Sequence, residues 1–84
     1  MDKETAIVIF NIINRDLTVD LEIPLDISAN DLVNALNIAY ELGIDTADVK
    51  NCYLKSENPI ALLKGNKTLA EFGLYNGSII NFTD

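Results

Sequence analysis

Residues 6–25 read AIVIFNIINRDLTVDLEIPL, and the way its two halves pair decides the fold. From Ala6 to Ile13 the run is β-branched and aromatic, the composition of a buried strand. From Leu17 to Ile23 apolar Leu17, Val19, Leu21 and Ile23 alternate with Thr18, Asp20 and Glu22, the pattern of a strand with one wet face. Asn14, Arg15 and Asp16 lie between them in a gap of hairpin length, so the two strands are expected to pair antiparallel.

Working outward, Pro24 closes the second strand, and Ser28 followed by Asp31 is a capping-box pattern that opens a helix. Leu32, Leu36, Ala39 and Tyr40 form its apolar stripe, flanked by Ala35 and Leu42. Gly43 is expected as its left-handed cap, with Asn34, Asn37 and Glu41 on the wet side. Beyond an acid-rich loop, NCYLK (51–55) reads as a third strand, SENP (56–59) as a turn and IALL (60–63) as a short fourth strand. Leu69, Phe72 and Leu74 fix a brief apolar turn, and SIINF (78–82) supplies the last strand. No repeat or linker interrupts residues 1–84, which are expected to form a single domain. This order predicts an α+β fold, a β-grasp: a mixed sheet of four to five strands with one helix packed on one face.

Composition excludes much chemistry. The chain of 84 residues is 49% hydrophobic and 23% charged, ordinary for a soluble globular domain. It has no histidine, so the usual general base is missing and no enzymatic activity is expected. Its one cysteine, Cys52, shares strand parity with Leu54 and reads as a buried small hydrophobe in a reducing cytoplasm. A lone thiol without histidine builds neither a zinc site nor an iron–sulfur cluster, and the acids lack EF-hand spacing. No metal or cofactor is therefore expected. The segment at 64–67, KGNK, has no glycine-rich loop leading into a helix and gives little support to phosphate binding.

The net charge is −7, with ten acids against two bases in residues 1–48 and three against four in 49–84. An acidic side of this kind speaks against a nucleic-acid partner. Asn11, Asn14 and Arg15 break the first apolar run too early for a leader or a membrane span, so direct membrane insertion is not expected.

The first strand is apolar at both parities: Ile7, Ile9 and Ile13 on one side, Ala6, Val8, Phe10 and Ile12 on the other. One set must face away from the helix, where apolar patches mark partner surfaces. If Leu21 and Ile23 point at the helix, their expected neighbours are Ile9 and Ile7, which turns Val8 and Phe10 outward. A final strand beside the first, with Ile80 and Phe82 inward, adds Ile79, and Cys52 and Leu54 inward turn Tyr53 out. Val8, Phe10, Tyr53 and Ile79 are thus the expected partner-binding residues, open also to homodimer formation. A one-residue shift in the turn at Asn14 to Asp16 exchanges the two sets of the first strand. The expected core comprises Leu21, Ile23, Leu32, Leu36, Leu69, Phe72, Ile80 and Phe82.

The segment GNKTLAEFGLYNGSIINF (65–82) resembles the closing segment of ubiquitin-like folds through Thr68, Leu69, Phe72, Ile80 and Phe82. With VDLEIP (19–24) before the helix, the chain is most similar to the YukD/EsaB family of small bacterial ubiquitin-like proteins tied to type VII secretion. The resemblance implies a cytoplasmic, noncovalent adaptor or regulator that docks on the cytoplasmic part of a component of the secretion machine. Ubiquitin and the sulfur carriers use a mobile tail with paired glycines, and this sequence ends at Asp84, two residues past Phe82, without them. The corresponding expectation is that it is non-conjugating. The alternative is a generic β-grasp binding module or enzyme accessory subunit unrelated to secretion.

Overall fold

The computed structural model describes residues 4–83; Asp84, on which the reading of the C-terminus rests, lies outside the described residues, as do residues 1–3. Its strands are β1 (Thr5–Ile12), β2 (Leu17–Pro24), β3 (Leu54–Glu57), β4 (Ala61–Leu63) and β5 (Ile79–Phe82). Helix α1 spans Ala29–Tyr40 and the single turn α2 spans Leu69–Phe72. The five strands form one mixed sheet in the order β2-β1-β5-β3-β4, with β1 and β5 parallel and the other neighbours antiparallel. This is the β-grasp arrangement read from the sequence, with the last strand beside the first.

The hairpin forms as expected, but its register does not. A 3₁₀ turn at Ile13–Arg15 ends on Asp16 in the left-handed region, φ 52°, and this compact turn sets the pairs Ala6–Ile23, Val8–Leu21 and Phe10–Val19. Val8 and Phe10 therefore share the inner face with Leu21 and Ile23, and both are fully buried. The expectation that Ile7 and Ile9 face the helix is corrected by one residue of slip, the exchange that period-2 side-chain alternation imposes.

Helix α1 is opened by Ser28, whose hydroxyl accepts from the Asp31 N–H at 3.1 Å. Ala29, Leu32, Val33 and Leu36 are buried against the sheet, and Tyr40 meets the Phe10 ring edge-on at 5.3 Å between centroids. Ala35 and Ala39 are exposed, because the stripe turns towards Val33. The helix stops at Tyr40, not near Gly43: Glu41 takes the left-handed cap, φ 51°, and the Leu42 N–H donates to Asn37 O at 3.2 Å. Arg15 satisfies the carbonyls at this end. Its guanidinium donates to the carbonyls of Tyr40 and Glu41, placing a cation where the helix dipole is negative. Asn37, expected on the wet side, is half-buried and clamps the next loop, accepting from Ile44 N–H at 2.9 Å and donating to Ile44 O at 3.0 Å.

Of the expected core, Ile23, Leu32, Leu36, Leu69, Ile80 and Phe82 are buried, while Leu21 and Phe72 pack half-buried at its margin. Cys52 is buried, as its parity indicated. Helix α2 carries a complete capping box. The Thr68 hydroxyl accepts from Glu71 N–H at 3.2 Å, and the Glu71 carboxylate accepts from the Thr68 N–H at 3.2 Å and hydroxyl at 3.0 Å.

Those Thr68 hydrogen bonds, the backbone one first, hold the Glu71 pKa below its ordinary value, with Lys67 adding to the effect. A carboxylate whose pKa falls on folding contributes stability above its unfolded pKa and loses it as pH drops through the folded one. Glu71→Gln is therefore expected to lower stability at neutral pH and to make no difference in strong acid. Denaturant midpoints of the two proteins at both pH values check this.

Candidate interaction face

Since α1 and α2 cover only one side of the sheet, the other side lies open. Its residues follow from the registers. Asp20, Ile9, Ile79 and Glu57 form one row across β2, β1, β5 and β3, and Thr18, Asn11, Asn81, Lys55 and Leu62 form the next, reaching β4. Glu22 and Ile7 begin a third row. Ile7 is 53% exposed, and Ile9 and Ile79 are half-buried beside it, an apolar strip flanked by the acids Asp20, Glu22 and Glu57.

The row through Asn11 carries a chain of hydrogen bonds that crosses at its end to Glu57 of the neighbouring row. Thr18 Oγ1 donates to Asn11 Oδ1 at 2.9 Å, Asn11 Nδ2 to Asn81 Oδ1 at 2.9 Å, and Asn81 Nδ2 to Glu57 Oε2 at 2.7 Å. The chain ties four strands together and gives the face a polar ridge. On its far side Ile13, Tyr53, Leu62 and Thr83 line an open groove with Lys55 and Asn81.

Tyr53 and Ile79 thus occupy the outer side, as expected, but in different places: Ile79 belongs to the isoleucine strip and Tyr53 to the groove beyond the ridge. Val8 and Phe10 are corrected. Both lie under α1 with no exposed surface, so neither is available to a partner in the folded protein. Ile7, Ile9 and Ile13 stand where those two were expected, and Leu62 joins them from β4. The signal for this lay in Asn11. The set Ala6, Val8, Phe10 and Ile12 is uninterrupted, whereas the set of Ile7, Ile9 and Ile13 contains Asn11, and a buried strand face does not spend a position on an amide without need.

Among the described residues, no group of three acids or thiols is placed to hold a metal ion, and no helix is long and apolar enough to cross a membrane. Solved structures that share the fold include two ubiquitin-like domains. The C-terminal ubiquitin-like domain of mouse tubulin-specific chaperone e superposes with a TM-score of 0.74 at 10% identity, covering 99% of this chain and 89% of that one. The UBL domain of Plasmodium falciparum Dsk2 gives 0.65 at 18% identity, with coverage of 95% and 97%. No curated protein matches the sequence. The fold is therefore ubiquitin-like. Within that class, residues 7–81 match the family model of protein YukD of the WXG100 protein secretion system (Wss), and the chain belongs to this family.

Proposed function

We propose that the protein is a noncovalent adaptor or regulator of the WXG100 secretion system, acting in the cytoplasm by binding and not by catalysis. The observation that carries this reading is the apolar strip of Ile7, Ile9 and Ile79 on the uncovered side of the sheet, in a chain whose family is defined by that system. The occupant is a protein component of the secretion machine. Its docking surface has an apolar centre and a basic rim, complementary to Asp20, Glu22 and Glu57, while Tyr53 offers an aromatic anchor across the ridge. A chain without histidine also supplies no ready acid–base group for turnover.

Ile7→Lys with Ile9→Lys tests the reading without attacking the fold. Each new lysine stands opposite an acid on β2, Glu22 and Asp20 respectively, and its stem covers the strand while its ammonium reaches water. The variant is expected to keep its circular dichroism spectrum and to lose co-purification with the secretion component at least tenfold, about 1.4 kcal/mol. Retained binding by the folded variant overturns the reading.

A further inference from the structure

A second surface follows from hydrogen bonds, independently of the outer face. Ile9 N–H donates to Ser78 O, and Gly77 N–H donates to Ile7 O, both at 2.9 Å, so the odd-numbered residues of β1 direct their backbone groups at β5. Its even-numbered residues then direct theirs at β2, to Leu17, Val19, Leu21 and Ile23. The bond from Leu25 N–H to Glu4 O at 2.9 Å gives the same phase from the β2 side. Thr18, Asp20 and Glu22 therefore point their N–H and C=O groups off the edge of the sheet. Among the described residues, none of these groups has a backbone partner beyond the sheet.

Strand β2 has eight residues, and an edge of that length is a template for another strand. Its surroundings define which strand fits. On the helix side, the flank of α1 that carries Asn30 and Asn37 is occupied, bonding Gly65 and Ile44. The opposite flank carries the exposed small residues Ala35 and Ala39, and the helix side of β2 itself carries half-buried Val19 and Leu21. On the outer side the edge carries Asp20 and Glu22, with Asp16 and Asp26 at its ends. Arg15, in the turn that leads into β2, is engaged by the helix carbonyls. A second copy of this chain would set acids against acids across the new ladder, which is unfavourable.

We infer that the β2 edge receives an extended segment of a partner protein by strand addition, a segment alternating basic residues with aliphatic ones. Its backbone pairs with Thr18, Asp20 and Glu22, its aliphatic side chains lie on the helix side beside Val19 and Leu21, and its basic side chains lie against Asp20 and Glu22.

The probe is a short synthetic peptide alternating lysine and valine, read by amide hydrogen exchange on the intact protein. Free, the Thr18, Asp20 and Glu22 amides exchange fast while Val19 and Leu21 are protected. With peptide, those three are expected to slow about tenfold or more. An acidic peptide alternating glutamate and valine, or the basic one N-methylated at alternate amides, has no such effect. Asp20→Pro removes an outward N–H and none of those bonded to β1, a change that edge strands accommodate. It is expected to weaken peptide binding about tenfold with thermal unfolding unchanged. Should that variant fold poorly, Asp20→Lys with Glu22→Lys keeps every backbone donor and is expected to abolish binding of the basic peptide. Equal binding by either folded variant, equal binding by the N-methylated peptide, protection confined to Ile7, Ile9 and Ile79, or no binding at all overturns the inference. So does protection that rises with protein concentration in the absence of peptide, the signature of a second copy.

Discussion

Phe10→Ala is expected to destabilise the protein by about 3–5 kcal/mol, the range for emptying a buried aromatic site. Phe10 is fully buried on a strand with neighbours on both sides, paired to Val19 on β2 and Ile80 on β5. Tyr40 lies edge-on against its ring, so truncation removes an aromatic contact and leaves a cavity under the end of α1. Since small domains hold about 5–15 kcal/mol in total, most of the stability is at stake. Equilibrium denaturation at unchanged slope measures it, and a loss under about 1 kcal/mol would contradict the burial. The neighbouring position makes the contrast sharp. Phe10→Asp is expected to prevent folding, because a carboxylate has no partner beneath the helix, whereas lysine at Ile9 folds with its charge in water.

Leu36→Ala is the second large effect, expected at about 2–5 kcal/mol. Helix α1 is twelve residues long, marginal in isolation, and is held by the face it buries. Leu36 lies at the middle of that face with Leu32 and Val33, so its loss loosens the layer that covers the sheet. Ala35→Ser, one residue away on the exposed flank, is expected to change stability by less than about 0.5 kcal/mol. Similar values for the two would show that the stripe is misplaced.

Much of this architecture was legible because several local signals agreed. Alternation in Leu17–Ile23, the Ser28 cap and the apolar stripe of α1 each marked its own element, and one helix against several strands left only one face to cover. The pairing register was less legible. It depends on whether the chain between Ile12 and Leu17 closes as a 3₁₀ turn with a left-handed Asp16, a choice of backbone angles that composition does not state. Hydrophobicity could not arbitrate either, since both parities of β1 are apolar, and only Asn11 marked the wet one. The helix end was hidden for a different reason: Glu41 and not a glycine takes the left-handed cap, and the group that satisfies the end carbonyls, Arg15, comes from the hairpin turn twenty-five residues before Tyr40. Asn37 likewise looks like a surface amide until Ile44 folds back onto it. The outer face of the sheet was half legible, with Tyr53 and Ile79 read as outward and Ile7 and Ile9 displaced by the register.

The outer face of the sheet is the proposed point of contact with the secretion system. Its most direct test is export of WXG100 proteins by a host strain in which the Ile7→Lys, Ile9→Lys variant replaces the natural protein at equal cellular abundance. The variant, folded and present, is expected to behave as a deletion of the gene, with export changed to the same extent and in the same direction. Export that follows the unmodified strain while the deletion alters it would contradict the assignment of that face.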